Sequence, residues 1–293
     1  MESFSQLLED TNFLEEHGLL GLFKAEHPRV RQQLIINMQY FKELSRLHNV
    51  FLENKLKDIF LIKGASLIQD VYENFKQRPM SDVDFYIPDQ ETYILLKKVL
   101  EDEGYHVLVE NKWHANDYKI TMIKVIGPFH CTLELHQKLL WKEGAINWKK
   151  QGEHGPWSSL SVTDHLVYLI AHMGKQHGFL KFFWLLDIKK VFEKYHQDIE
   201  WSVVYQKLCI LNCSSCLKLT VFLLKRVFNL DLAREIAPFH FSKWKFFLQK
   251  IVFSTNYFVA KKRSTWRVIA AKFLVKDNNW ETLEYLFFYK SAK

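Results

Sequence analysis

At 293 residues the chain is long enough for two modest domains or one large one. A hydrophobic share of 48% and an aromatic share of 15%, with only 10 Gly and 6 Pro, indicate a well-packed globular protein and exclude extended disorder. No uncharged apolar stretch approaches the roughly 18 residues of a membrane-spanning helix. The acidic N-terminus lacks the features of a signal peptide, so we expect a cytoplasmic protein.

The net charge of +7 is distributed unevenly along the chain. Residues 201–293 contain 16 Lys and Arg but only 5 Asp and Glu, whereas residues 1–200 contain 24 and 28. Basic and aromatic residues alternate at 241–245 and again at 261–267. Two interpretations are open: a surface that attracts a polyanion such as tRNA, or ordinary amphipathic helices whose lysines extend into solvent.

The first segment, residues 2–54, is predicted to be helical with a break at His27-Pro28. Beyond the break, apolar residues recur at three- and four-residue intervals, which indicates one long amphipathic helix. Its apolar positions are Leu34, Ile35, Met38, Phe41, Leu44 and Leu47. We expect this helix to pack against a sheet.

The stretch 59–87 predicts a strand, a sharp turn, a helix, a loop and a second strand. An apolar run leads into Lys63-Gly64, and a helical spacing of apolar residues then continues to Phe75. Arg78-Pro79 ends this helix, because proline lacks the amide hydrogen and disfavours helix at the preceding residue. A strand that turns into a helix at Gly64 is typical of an anion site made of backbone amides.

Asp82 and Asp84 lie two residues apart at the start of the second strand. Residues at this spacing on a strand point to the same face, so the two carboxylates should project together. Two such carboxylates are costly to bury unless a cation neutralises them, and Mg²⁺ is the usual hard cation with oxygen ligands. The alternative is a strand end with two solvated aspartates.

Residues 89–104 predict a helix that starts at an Asp89 cap and ends at Gly104. Three strands follow, at 105–110, 117–125 and 129–136. In the last of them, alternation places Thr132, Glu134 and His136 on one face. Glu134 is therefore a candidate third carboxylate, with an exposed sheet position as the alternative. We expect His136 to order Glu134 or the neighbouring loop rather than to bind metal.

A domain boundary is predicted at 142–160, which is rich in Gly, Lys and polar residues. The chain would then form a domain at 1–150 and a helical domain at 151–293. In the second, His172, His177 and Asp187 have the ligand types for a metal site. Polar residues at the seam with the first domain are the other interpretation, and Trp184 is expected in the core.

Three of the four cysteines, Cys209, Cys213 and Cys216, fall within one short segment that is predicted to be helical. A metal site would need a fourth ligand nearby and usually a loop-borne pair. We therefore expect buried reduced thiols in a helix rather than a metal site or a disulfide framework.

Several of these residues follow the pattern K-G-x-x-L…Y…R-P…D-h-D-h, here Lys63-Gly64…Leu67, Tyr72, Arg78-Pro79 and Asp82-Val83-Asp84-Phe85. A later h-E-h-H matches 133–136, and an H-x4-H…W-x-x-D pattern matches His172, His177, Trp184 and Asp187. Over about residues 30 to 235 the chain thus resembles a bacterial nucleotidyltransferase branch of the DNA polymerase beta-like superfamily. It departs from the wider superfamily in one respect, since Ala65 separates Gly64 from Ser66.

The resemblance implies an α+β fold in which a mixed sheet flanked by helices is followed by a helical C-terminal half. It implies Mg²⁺ or Mn²⁺ held by Asp82, Asp84 and Glu134, which would also be the catalytic residues. The residues implied to bind the NTP substrate are Lys63, Gly64, Ser66, Arg78, His172 and His177.

The activity implied is the transfer of an NMP group from an NTP to a hydroxyl of an acceptor. We favour a small-molecule or peptide acceptor. The alternatives are a tRNA or protein acceptor and a non-catalytic nucleotide-binding scaffold. The complete set of Gly64, Asp82, Asp84 and Glu134 argues against the scaffold.

Overall fold

The computed structural model describes residues 4–109, 119–140, 143–154, 157–259 and 264–278, together with residues 280 and 283. The chain forms two compact units. The sheet unit comprises Leu20–Glu143 and Asn147–Ser161, and the helical unit comprises Met1–Leu19, Gly144–Ile146 and Val162–Lys293. The predicted α+β fold class is confirmed, with a mixed sheet, flanking helices and a helical C-terminal half.

The sheet of the described chain has seven strands, listed here in chain order: β1 (Ile59–Ile62), β2 (Val83–Tyr86), β3 (His106–Val109), β4 (Lys119–Ile126), β5 (Phe129–His136), β6 (Lys150–His154) and β7 (Trp157–Leu160). Their spatial order is β3-β4-β5-β2-β1-β7-β6. β2 is parallel to β5 and β1 is parallel to β7, whereas the other neighbouring pairs are antiparallel. β1 and β2 are buried along their whole length, so the centre of the sheet lies in the core.

The helices of the described residues, in chain order, are α1 (Phe4–Leu7), α2 (Thr11–Glu16), α3 (Leu20–Phe23), α4 (Pro28–Glu53), α5 (Lys63–Asp70), α6 (Gln90–Asp102), α7 (Val162–Ala171), α8 (Phe182–Tyr195), α9 (Trp201–Ile210), α10 (Ser214–Phe228), α11 (Ala233–Ile236), α12 (Lys243–Val252), α13 (Thr255–Phe258) and α14 (Thr265–Leu274). A π-helical turn, His172–Gln176, follows α7 directly. No helix within the described ranges is both long and apolar enough to cross a bilayer.

The long amphipathic helix predicted after His27 is confirmed as α4. It begins with proline at its first turn, where a missing amide hydrogen costs nothing, and the His27 ring accepts from the amide of Arg29 at 3.3 Å. Its buried side, which includes Leu44 and Leu47, packs against the sheet, where the Phe51 ring lies 6.1 Å from that of Phe85. Ile35 and Met38, which were predicted on the same side, are exposed instead. α4 thus supplies a fixed support for the central strands.

The helix after Gly64 is shorter than predicted, because α5 ends at Asp70 instead of continuing to Phe75. An apolar residue stands at position 75 because of a contact outside the helix. The Phe75 ring stacks on Phe41 of α4, with centroids 4.6 Å apart and planes at 14°. The helical spacing of apolar residues therefore continued into a loop that packs on α4.

Strands β6 and β7 occupy the segment where the sequence analysis places a domain boundary and predicts no strand. β7 pairs in parallel with β1, and Trp157 stacks on Phe85 with centroids 5.4 Å apart. The sequence does not predict these two strands, because they are short and largely polar. Pairing with other strands, rather than alternation of apolar and polar residues, decides their conformation.

In the helical unit, aromatic rings explain why the chain N-terminus belongs there. Phe4 and Phe13 contact Phe182 of α8, and Phe4 also contacts Phe258 of α13. Cys213 and Cys216 are buried free thiols, whereas Cys209 is a free but exposed thiol. The division into separately folding domains at 1–150 and 151–293 stays a prediction.

Candidate active site

Strand pairing brings Asp84 of β2 next to Glu134 of β5. The two strands are parallel, and these two residues are direct partners in the register. His136 lies two residues further along β5 and so points to the same face of the sheet. Two carboxylates and one imidazole from sequence-distant strands therefore meet on one face.

Basic groups surround this cluster closely. Lys63 Nζ lies 2.5 Å from Asp84 Oδ1, and Lys119 Nζ lies 2.7 Å from Glu134 Oε1. His136 Nε2 lies between the carboxylates, 3.0 Å from Asp84 Oδ1 and 3.2 Å from Glu134 Oε2. Each carboxylate thus has its own lysine, and the imidazole nitrogen links the two.

The donor set fits a divalent cation. One potential ligand atom from each of Asp84, Glu134 and His136 lies within 4.8 Å of the others, and within the described parts of the chain this is the one such group of three. Carboxylate oxygens are the ligands that Mg²⁺ and Mn²⁺ prefer. The ammonium group of Lys63 also shows that a positive charge is accommodated directly on Asp84.

Asp82 immediately precedes β2 and is half-buried. Burial, and then the negative charges of Asp84 and Glu134, raise the pKa of Asp82 to about 6. Asp82 is outside the group of three ligand atoms, but its raised pKa reports that it shares their electrostatic field. A third carboxylate is thus present, in a position where a further positive charge would favour its ionised form.

The other two carboxyl groups are shifted in the opposite direction. Burial disfavours ionisation of Asp84, but the charge of Lys63 and the contact with His136 outweigh it and hold the pKa of Asp84 well below its ordinary value. For Glu134, burial is likewise outweighed by the hydrogen bond with His136 and the charge of Lys119, which lower its pKa. Both groups are therefore ionised at neutral pH, the form that binds cations.

The turn between β1 and α5 delivers Lys63 to this cluster. Ile62, the last residue of β1, is the register partner of Asp84 on the antiparallel strand β2. Lys63 follows with φ of 52°, in the left-handed region that residues with side chains seldom adopt. Strained backbone of this kind is concentrated at functional positions, where the surrounding structure holds it in place.

Gly64 makes room for the guanidinium of Arg78. A Cβ at Gly64 would lie 2.5 Å from Arg78 Nη1, closer than real contacts allow, and 3.5 Å from Met80 Cγ. Arg78 itself is buried, and its Nη1 donates to the carbonyl of Pro79 at 2.9 Å. A buried positive charge therefore lies against the first turn of α5, the turn that also contains Ser66.

Since the resemblance implies that Arg78 binds the NTP, Gly64→Ala is expected to displace Arg78 and weaken NTP binding about ten-fold, because a charge-assisted contact of about 1–2 kcal/mol would be lost. Calorimetric titration with NTP measures this. Gly152→Ala is a matched control, since its Cβ would meet only Ser159 Oγ at 3.8 Å. Arg78→Ala should cost the same as Gly64→Ala, and the double variant no more. Full additivity of the two changes would contradict the contact.

A family model described as "Uncharacterised nucleotidyltransferase" matches residues 18–229 of the chain. This chain belongs to that nucleotidyltransferase family. Membership supports the transfer of nucleotidyl groups as its general activity. No curated protein and no solved structure matches the chain.

The family match includes the part of α4 that holds the loop carrying Arg78. Asn37 Nδ2 donates to the carbonyls of Phe75 and Arg78 at 2.7 and 2.8 Å, and Gln33 Nε2 donates to that of Met80 at 3.1 Å. The Tyr40 hydroxyl donates to the carbonyl of Ser81. Sequence reasoning treated α4 only as packing. Polar residues at 33, 37 and 40 share one face of an amphipathic helix, a signal that was overlooked.

Sequence reasoning also missed the role of Lys119. This residue starts β4, 15 positions before Glu134, and the antiparallel register places it opposite His136. The register partner of Glu134 is Thr121, so Lys119 lies two residues further along β4 on the same face, within ion-pair distance of Glu134. The only signal was a lysine on the same face of an adjacent strand, which needs the strand register to be recognised.

In the helical unit, the two predicted histidines lie together. His172 Nε2 and His177 Nε2 are 3.1 Å apart, and Trp184 contacts both rings, with centroids at 5.5 and 4.5 Å. His172 begins the π-helical turn, a feature frequent at functional positions. Asp187 is buried in α8, but no described group of three metal ligands includes these residues. Their role in the nucleotidyltransferase reaction stays a prediction.

Proposed function

We propose that the chain is a Mg²⁺- or Mn²⁺-dependent enzyme that transfers an NMP group from an NTP to a hydroxyl of a small-molecule or peptide acceptor. The observation that carries this proposal is the Asp84–Glu134 pair, ionised and in register beside a strand-to-helix turn with two basic residues. Family membership supports the nucleotidyl-transfer class. The acceptor and the metal dependence are our proposal.

Asp84 and Glu134, with Asp82, would hold the metal ions. When bound, Mg²⁺ or Mn²⁺ supplies charge neutralisation at the attacked α-phosphate and a polarised acceptor oxygen. His136 keeps both carboxylates oriented, because its Nε2 contacts one oxygen of each. Lys119 pairs with Oε1 of Glu134, the oxygen other than the one that His136 contacts, and so limits repulsion between the carboxylates.

Lys63, Gly64, Ser66 and Arg78 would bind the triphosphate. All four lie in or against the first turn of α5, where helix amides and the positive end of the helix dipole favour anions. Lys63, which now contacts Asp84, would donate to a phosphate oxygen of the bound triphosphate. Holding the reacting groups in line, rather than proton transfer by a side chain, would provide most of the rate enhancement.

Incubation of the enzyme with α-labelled NTPs, Mg²⁺ and a cell extract tests this proposal. We expect label in the small-molecule or peptide fraction, and none when an Asp84→Asn variant replaces the enzyme. The basic C-terminal third favours tRNA as the competing acceptor. Label in RNA or in whole proteins would reject the small acceptor but retain NMP transfer. No transferred label with any NTP, despite metal-dependent NTP binding, would instead identify a non-catalytic scaffold.

A further inference from the structure

The helices α12 and α14 repeat one sequence pattern. The shared pattern is S-x-W-b-h-h-x-x-K-h-h, in which b is a basic and h an apolar residue. It reads SKWKFFLQKIV at 242–252 and STWRVIAAKFL at 264–274. The two serines, Ser242 and Ser264, stand 22 positions apart and are both the N-cap residues of their helices. Ser242 Oγ accepts from the amide of Lys245 at 3.2 Å. The chain therefore repeats one amphipathic helix pattern in α12 and α14, with the short α13 between them.

The two helices pack against each other in antiparallel orientation. Gln249 of α12 donates to the carbonyl of Leu274 at the end of α14, at 2.8 Å. Lys245, near the start of α12, pairs with Asp277 beyond the end of α14, at 2.9 Å. At the opposite end, Arg267 donates to Ser254 at 2.5 Å. These contacts hold the inner sides of both helices together.

Away from these contacts, α12 exposes Trp244, Phe247 and Ile251, and α14 exposes Trp266 and Ile269. We call these five residues the tryptophan face. The exposed residues are spaced i, i+3, i+7 on α12 and i, i+3 on α14, so on each helix they lie along one stripe. The two tryptophans are 68% and 55% exposed, although Trp is usually well buried. Exposed apolar stripes of this kind indicate a surface with a partner.

The sequence that contains the tryptophan face is basic, because residues 236–276 contain nine Lys and Arg and no Asp or Glu. Among the described members, Lys245 pairs with Asp277 and Lys276 is buried, so neither adds free charge at this face. Lys243 and Lys250 are exposed on α12 and lie beside its apolar stripe. Lys243 precedes Phe247 by four positions and Lys250 follows it by three, so both are its neighbours on the helix surface. The ammonium groups of Lys218 on α10 and of Lys250 both lie over the Phe246 ring, 4.7 and 5.3 Å from its centroid. Burial and the charges of Lys243 and Lys250 lower the pKa of Lys218.

We propose that the tryptophan face binds an anionic lipid surface, with α12 and α14 lying in the plane of the interface. Basic residues beside Trp, Phe and Ile are the composition of interfacial helices, in which apolar side chains enter the headgroup region and lysines contact acidic headgroups. Ile251 and Ile269 favour lipid over nucleic acid, since bases stack on aromatic rings and gain little from aliphatic side chains. This surface is separate from the carboxylate cluster and does not depend on the proposed NMP transfer.

Flotation of the full-length chain with lipid vesicles tests the inference. We expect binding to vesicles with about 30% phosphatidylglycerol and much weaker binding to pure phosphatidylcholine, because lysines contribute through acidic headgroups. Phe247→Gln combined with Ile269→Gln should weaken binding roughly ten-fold or more, since two inserted side chains are lost. Ile94→Gln with Leu95→Gln, two exposed apolar residues of α6, is the matched control and should bind as the wild type does.

Circular dichroism and thermal melting confirm that both double variants are folded before they are compared. Equal binding by the two double variants, or equal binding to neutral and anionic vesicles, would overturn the proposal. So would concentration-dependent self-association that the Phe247→Gln, Ile269→Gln variant abolishes, without vesicle binding, because a second copy would then cover the face. Binding to single-stranded RNA but not to vesicles would overturn it in favour of nucleic acid.

Discussion

Asp84→Asn is expected to reduce NMP transfer by roughly 10³-fold, because the change removes the charge that would hold the metal while keeping the shape of the side chain. Asp84 is the most constrained carboxylate of the cluster: it is buried, contacts Lys63 and His136, and stands opposite Glu134. Initial rates with α-labelled NTP and the acceptor identified by labelling measure the loss. Calorimetry with Mn²⁺ should show a parallel loss of metal binding.

Asp102→Asn provides the matched control for this prediction. Asp102 is an exposed carboxylate at the end of α6, in the same unit, and no ion pair is described for it. The variant should transfer NMP at the wild-type rate. If Asp84→Asn also retained that rate with a normal metal affinity, the catalytic carboxylate would have to be sought elsewhere and the proposed site would be wrong.

Lys63→Met is expected to destabilise the metal-free protein by about 3 kcal/mol, because it leaves the carboxylate of Asp84 buried without its closest counter-ion. Methionine has a similar length and imposes the same left-handed strain at φ of 52°, so the loss reports the charge alone. Mg²⁺ or Mn²⁺ should restore much of this stability, since a divalent cation replaces the ammonium group. Urea unfolding with and without metal measures both effects.

Lys63→Arg retains the positive charge and is expected to lose far less stability in the absence of metal. Whether Lys63 and the cation share a position is decided by how much metal stabilises each protein. Metal should stabilise Lys63→Met more than the wild type, because no ammonium group competes for Asp84. Equal stabilisation of Lys63→Met and the wild type would show that Lys63 and the cation do not share a position.

The sequence by itself determined the central elements of the sheet unit and most of the residues of the candidate site. The long spacing pattern of α4, the apolar run of β1 and the alternation in β5 are local signals, because period and burial follow directly from backbone geometry. Asp82, Asp84 and Glu134 were singled out by the same local rules together with the family resemblance. The resemblance also implied Lys63, Gly64 and Arg78, as residues that bind the NTP.

Only the tertiary structure decided which charges meet. Lys119 reaches Glu134, and His136 reaches Asp84, through strand registers that a one-residue slip would destroy, and no local pattern encodes them. Likewise, Gly64 is explained by the approach of Arg78 from a loop that α4 holds by hydrogen bonds to its carbonyls. The strands β6 and β7 form because β7 pairs with β1 and its Trp157 stacks on Phe85, not because of their own alternation. Contacts between residues far apart in sequence depend on the packing of the whole unit, and that packing is what the sequence pattern lacks.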